Sequence, residues 1–393
     1  MKAAALILVT LVVVSFVQVA AQEREPYDWL FMVYLDGDNN LESYGVKDLN
    51  EMEKGLSVAP EANIALLVLF DGGTGRYIGH KGAKIYKVAP DTSTSIRSKV
   101  VKDMGEINMG DPNTLTDFVD YCTSSYPAYN HALVLWNHGS GWRVVEEERE
   151  DVLKDVCFDD TDGDALKTEE ISDVMPIISS SCGRLEFLGF DACLMQMAEI
   201  AGEVYENTDF IAASQETEPG DGWDYSYLIG ELAGYPEMSA ESLAAASVAA
   251  YSNYYGGDYD VTFSALRSSE IPALSQALKQ FSDALLNGLS SEKSAISSAR
   301  NATQQFAYAD YIDLYEFAKN LDTMDQTITD AAEGVMSAID ACMVSEFHSS
   351  DLEAHGISIW FNKSKPASTL IDRYTNLNIA ETGWLDFLLA YYG

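Results

Sequence analysis

His131-Ala-Leu-Val-Leu-Trp-Asn-His-Gly-Ser-Gly-Trp142 begins as an unbroken apolar run and stops at a polar, glycine-rich turn. Continuous apolarity without alternation reads as a strand buried on both faces, as in parallel sheets covered by helices. The same grammar recurs on either side. Trp29-Leu-Phe-Met-Val-Tyr-Leu35 ends in Asp36-Gly-Asp-Asn39 before a helix expected from about Leu41 to Lys54. Ile64-Ala-Leu-Leu-Val-Leu-Phe70 ends in Asp71-Gly-Gly, and Leu185-Glu-Phe-Leu-Gly-Phe190 ends in Asp191-Ala-Cys193, with a helix expected from Leu194 to Tyr205. Strands alternating with helices predict an α/β fold with a mostly parallel central sheet.

Between these elements, Pro112-Asn-Thr-Leu-Thr-Asp starts a helix with Thr available as its cap. Residues 143–157 are mostly charged and read as an exposed loop between sheet elements. From Ser239 to Cys342 the pattern is chiefly amphipathic helix, including Ala273 to Leu286 and Ser291 to Phe306 with Asn287-Gly288 as a stop between them. Ser358-Ile-Trp-Phe361 returns to a sheet, and a short helix closes the chain. The division expected is a core over 22–235 and a helical elaboration with a returning strand over 236–393, packed on it.

The 393 residues carry 24 Lys and Arg against 62 Asp and Glu, a net charge of −38, so phosphate repulsion excludes a nucleic-acid binder. Residues 1–21 have the form of a secretory signal peptide: Lys2, an apolar stretch from Ala3 through Val14, and small residues at Ala20-Ala21. Cleavage there predicts export, to the periplasm or outside the cell, without a stable membrane anchor; an uncut leader is the competing reading. Five cysteines, an odd number, are too few to build a disulfide scaffold in a chain this long. No CxxC or HExxH spacing supports zinc.

His138 and Cys193 each lie just past the carboxyl end of an expected parallel strand, where open α/β sheets place their sites. A helix starting after Cys193 would lower the thiol pKa through its positive end. A thiolate could then attack a carbonyl while an imidazole handles the leaving-group proton. By pattern alone, Cys193 as a small buried side chain and His138 as a turn residue stay open.

Leu135-Trp-Asn-His-Gly-Ser-Gly-Trp142, followed by Phe190-Asp-Ala-Cys193, resembles the clostripain family of secreted cysteine peptidases, in the clan of gingipains, legumains and caspases. Asp28 to Leu41, Phe158-Asp-Asp-Thr161, Glu218-Pro-Gly220 with Gly222-Trp223, and Tyr311 to Ala318 extend the likeness over nearly all of the chain after the leader. The resemblance implies a caspase-like α/β/α sandwich with a helical C-terminal elaboration. It also implies a dyad of His138 as general acid/base and Cys193 as nucleophile, and an oxyanion hole of the Gly139 and Cys193 backbone N–H groups.

The substrates implied are proteins or peptides with Arg or Lys before the scissile bond, recognised by Asp191 and Asp221. A strand-end hydrogen-bonder and a solvated turn are the plain alternatives for those two residues. Self-cleavage at Arg143, Arg149 or Lys154 would activate the enzyme. The rival reading is a secreted peptide-binding protein that retains the fold without turnover. No cofactor is required, although the family leaves room for calcium. Asp160, Asp162 and Asp164, ending near Glu169 and Glu170, are the acidic run that suggests it. As an EF-hand that run fails at Ala165 and Ile171, and local Asx turns explain it as well. Metal ligands and oligomeric state stay open.

Overall fold

The structure, a computed structural model, describes residues 25–142, 155–256 and 259–393. The expected signal peptide and the expected processing positions Arg143, Arg149 and Lys154 lie outside the described residues. In chain order the strands are β1 (Tyr27–Asp36), β2 (Ile64–Gly72), β3 (Gly82–Lys87), β4 (Lys99–Gly105), β5 (Ala128–Trp136), β6 (Val156–Asp159), β7 (Asp164–Leu166), β8 (Leu185–Asp191), β9 (Thr208–Ala213), β10 (Thr262–Arg267), β11 (Tyr311–Asp313), β12 (Met343–His348) and β13 (Ser358–Trp360). The helices are α1 (Glu42–Leu56), α2 (Pro112–Ser125), α3 (Thr168–Cys182), α4 (Ala198–Val204), α5 (Tyr225–Gly234), α6 (Ala240–Tyr255), α7 (Ile271–Ala302), α8 (Leu314–Lys319), α9 (Gln326–Cys342), α10 (Ser368–Tyr374) and α11 (Trp384–Tyr392).

Nine strands form one sheet in the order β12-β10-β9-β8-β5-β1-β2-β3-β4. The inner five, β9 to β2 in that order, are parallel, and antiparallel pairs extend both edges. Along β1, Leu30, Met32 and Tyr34 enter one core while Phe31, Val33 and Leu35 enter the other. Helices α2, α3, α4 and α7 cover the first face, and α1, α5 and α6 the second. Each large side chain buried this way contributes about 1.5–3 kcal/mol, which is why the unalternating runs marked the strands so clearly.

The structure changes several expectations. Asp111, not a Thr, caps α2, accepting from the Asn113 N–H with Pro112 in the first turn. Asn287-Gly288 does not stop a helix, because α7 runs through it for 32 residues. A Cβ at Gly288 would stand 2.7 Å from Ile328 of α9, so this glycine permits a close helix approach. Val156 and Cys157, counted in the loop, begin β6. The region after 236 supplies β10 and β12 to the central sheet as well as helices. The strand at Ser358 pairs with β11 in a separate two-stranded sheet. Among the described residues, no helix is long and apolar enough to cross a membrane. The five cysteines form no disulfide.

Candidate active site

Strands β5 and β8 are parallel neighbours whose last residues, Trp136 and Asp191, pair in register. His138 and Cys193, each two residues further on, therefore leave the same sheet edge side by side. The Asn137 N–H donates to the Asp191 carbonyl at 3.2 Å, joining the two turns. A Cβ at Gly139 would stand 2.3 Å from the Cys193 carbonyl oxygen, so only glycine allows the histidine turn to lie against the cysteine turn. Tyr311 Oη donates to the Ser140 carbonyl at 2.7 Å, and buried Trp142 packs edge-on against Trp360 and Tyr374. The aromatic residues of the C-terminal half thus brace the histidine turn.

His138 Nε2 lies 2.7 Å from Asn40 Oδ1, and the ring stacks on Phe158 with centroids 5.8 Å apart. Asn137 also borders the cleft, but its amide is engaged, donating to the Asp36 carbonyl at 2.9 Å and Asp36 Oδ2 at 2.7 Å. Asn40 is the histidine's side-chain neighbour, and it was not singled out from the sequence.

No helix begins at Cys193. The chain turns through Leu194, a non-glycine residue at φ +65°, and α4 starts only at Ala198. A left-handed leucine costs of order 1 kcal/mol and persists only because its surroundings hold it. Here the Leu194 N–H donates to the Glu216 carbonyl at 3.1 Å and the Gln196 N–H to the Ser214 carbonyl at 2.9 Å. The expected lowering of the thiol pKa is absent. Burial pushes the Cys193 thiol up, and the N–H groups of Glu218, Gly139 and Cys193 itself only partly offset this. The Glu218 N–H lies 3.2 Å from the sulfur.

Leu41, Trp136, His138, Asp191, Cys193, Glu218 and Gly220 line a cleft of about 130 Å³, room for one side chain rather than a drug-sized ligand. Asp191 forms part of its lining and is almost fully buried, accepting from Tyr225 Oη at 2.9 Å. Gly222 (φ +58°) packs on this carboxylate, where a Cβ would stand 2.9 Å from Oδ1. Burial pushes Asp191 up to about 6. Glu218, whose carboxylate is buried beside it, is pushed well above the usual range by burial and by the Asp191 charge, so each carboxyl disfavours ionisation of the other. Asp48, which accepts from Trp136 Nε1 at 2.7 Å, adds a third carboxyl behind them.

Asp221 is not among the cleft-lining residues. Lys47 Nζ holds its carboxylate at 2.8 Å, with Tyr254 Oη at 3.3 Å. The pair resolved from sequence is thus separated, and Glu218, seen only as part of a loop motif, stands beside Asp191 instead. Two acids in one turn, Glu218 and Asp221, do not reveal from sequence which one faces inward.

The acidic run after β6 is occupied by local structure. Asp162 N–H donates to Asp159 Oδ1 at 2.9 Å, Asp164 Oδ2 accepts from Asn108 at 2.8 Å, Glu170 accepts the Lys167 N–H, and Glu169 pairs with Arg373. A larger groove of about 520 Å³ runs between α4, α7 and Asn378–Thr382, and its lining holds no Cys or His.

A model of the clostripain family matches residues 33–382. Clostripain from Hathewaya histolytica is 30% identical over 226 residues, 51% of this chain, and the match spans 41% of that relative's length. A secreted C11 cysteine protease from Bacteroides thetaiotaomicron, solved with an irreversible peptide inhibitor, superposes with a TM-score of 0.69 at 19% identity, covering 91% of this chain and 99% of that one. An inactive zymogen C11 protease from Parabacteroides distasonis gives 0.68 at 18% identity, covering 92% and 99%. At these identities the two structures speak to the fold, which they share along almost the whole chain.

Proposed function

The chain belongs to the clostripain family, and from that premise we propose that it is an exported cysteine endopeptidase cleaving after Arg or Lys through His138 and Cys193. The observation that carries this reading is the meeting of those two turns at one sheet edge, over a cleft lined by Asp191 and Glu218.

In the proposed reaction, Cys193 Sγ loses its proton to His138 and adds to the substrate carbonyl. The Gly139 and Cys193 N–H groups stabilise the resulting oxyanion. His138 then gives the proton to the leaving amine as the C–N bond breaks, leaving a thioester. Water, deprotonated by His138, cleaves the thioester and restores the thiol. Asn40, beside Nε2, orients the ring.

The substrate's cationic side chain enters the cleft and offsets the desolvation of the Asp191 and Glu218 carboxylates. A neutral side chain leaves that burden uncompensated, so charge filters substrates. Asp221, paired with Lys47, acts at the rim.

A thiol pushed up by burial, which the Glu218 N–H only partly offsets, suits a resting precursor. Self-cleavage at Arg143, Arg149 or Lys154 is the proposed activating step, since each fits the enzyme's own preference. Export follows from residues 1–21.

The test is release of a fluorogenic leaving group from matched peptides ending in Arg, Lys, Asp or Leu, beside a Cys193→Ala control, with chain size followed in parallel. Turnover confined to Arg or Lys and lost in the variant supports the reading. A folded, reduced, loop-cleaved sample that binds these peptides without turnover transfers it to a non-catalytic binding protein.

A further inference from the structure

Trp142 and Asp155 flank the segment that carries Arg143, Arg149 and Lys154, and both are fully buried. One side chain from the far end of the sequence meets them both. The Arg373 guanidinium, on α10, lies 5.8 Å from the centre of the Trp142 ring. Its Nη1 donates to Asp155 Oδ1 at 3.1 Å and its Nη2 to Asp155 Oδ2, while Nε and Nη2 each reach a Glu169 oxygen at 2.6 Å. The Asp155 side chain is fully enclosed and that of Arg373 is only 11% exposed. The pairs of Arg184 with Asp209 and Arg267 with Glu241 stand partly in solvent, where an ion pair contributes little. An enclosed guanidinium makes strong, directional bonds, its edge forking onto carboxylates while its flat face stacks on an aromatic ring.

What Asp155 holds in its turn is the loop that carries His138. Its carbonyl accepts the Ser140 N–H at 2.8 Å, and Val156 forms an antiparallel bridge with Gly139. Just beyond, the Phe158 ring stacks on His138 and the Phe158 carbonyl accepts from Asn137 Nδ2 at 3.2 Å. Asp155 Oδ2 also accepts the Thr168 N–H at 2.6 Å, which fixes it to the start of α3. On the other flank, Trp142 ends the same loop, edge-on to Tyr374. Tyr374, next to Arg373, donates its hydroxyl to Glu199 at 3.1 Å and so ties α10 to α4.

We propose that Arg373 is a positioning residue of the peptidase, gripping Trp142 and Asp155 together and so fixing the turn that carries His138. It is not among the cleft-lining residues and acts without touching the substrate. While the segment between the two flanks is intact, the chain itself keeps them together. A cut there removes that link: Trp142 falls in one piece, Asp155 and Arg373 in the other, and the guanidinium becomes a tie between the two. The effect on turnover rests on the peptidase reading, whereas the grip on the histidine turn does not.

The test compares the parent with Arg373→Met and with Arg373→Lys, which keeps the charge but neither the fork nor the flat face. On an Arg peptide, the loop-cleaved Arg373→Lys enzyme should show kcat at least about tenfold lower with KM within about twofold, because the histidine is displaced while the cleft at Asp191 is not. Arg373→Met leaves Asp155 buried and unpaired and should lose more; if that chain does not fold, Arg373→Lys decides. Hydrogen exchange is followed with the same substitutions in the Cys193→Ala chain, which cannot cut itself, and needs no turnover. There the peptide covering 138–142 should exchange at least about tenfold faster than in Cys193→Ala alone, while peptides of β1 and β2 keep their rates. A parent without turnover would defeat the peptidase reading and leave the grip to be judged by exchange. Unchanged exchange over 138–142, faster exchange spread evenly over the sheet, or a folded Arg373→Lys enzyme with the parent's kcat would overturn the assignment.

Discussion

Two exits from the same parallel sheet bury carboxylates and treat them differently. At the β8 exit, Asp191 is held by Tyr225 and faces a cleft open to a side chain. At the β1 and β2 exits, Asp38 and Asp71 have unpartnered oxygens facing one another and Glu106. A buried carboxylate calls for a counter-charge in both places. The first arrangement lines the cleft, where a substrate side chain can deliver a cation; the second lies apart from it. Glu218, beside Asp191, also has both carboxylate oxygens without a partner, so what separates the two exits is that one set of acids lines the cleft and the other does not.

The sharpest way to break that comparison is to remove the chemistry from one edge only. Cys193→Ala or His138→Ala should lower kcat on an Arg substrate by at least about a thousandfold, while circular dichroism and Tm stay as in the parent. A changed circular dichroism spectrum or a lowered Tm in either variant would assign the loss to folding and not to the chemistry of that edge.

Next in size, Asp191→Asn should reduce kcat/KM for Arg substrates by about a hundredfold or more, since it leaves a desolvated cation half-paired. Asp221→Asn should change it by no more than about threefold, as expected for a half-exposed ion pair. Equal losses in the two variants would restore Asp221 to the pocket floor. Asn40→Ala should lower kcat about tenfold with KM nearly unchanged, because it orients His138 without touching substrate.

The smallest effect is on stability. Burial raises Asp191 to about 6 from its ordinary 3.8, so the native chain binds more protons than the unfolded chain between those values. Its contribution to stability therefore falls as pH rises from about 4 to 6 and is level above that. Asp191→Asn should flatten this part of the stability profile, measured by denaturant unfolding, whereas kcat/KM of the parent for Arg substrates should rise through the same window as the carboxylate ionises.

What the sequence could disclose follows from where the information sits. β1, β2, β5 and β8 are buried on both faces, so their apolar runs are visible one strand at a time, and their exits at Asp36, Asp71, Asn137 and Asp191 come with them. β12, half-exposed at the sheet edge, has no such run, and β10 mixes Thr262 and Ser264 into its core, because those side chains serve the buried bonds of Ser214 and Gln196. Gly288 resembles a helix stop in isolation and is a packing contact in the fold. The neighbourhood of Glu218 depends on Cys193 and Asp191, both distant in sequence, and so do the late start of α4 and the raised thiol. The dyad positions could be read from strand grammar and resemblance; the second pocket acid and the Asp38, Asp71 and Glu106 cluster required the strands to be side by side.

The most direct measurement is the intact mass of the loop-cleaved protein after reaction with a thiol-reactive peptide ending in Arg. The account predicts a single adduct, mapped to Cys193, that fails to form in His138→Ala, in Asp191→Asn, or with the matched peptide ending in Leu. Equal labelling by the Leu peptide, or an adduct on Cys182 in place of Cys193, would contradict it.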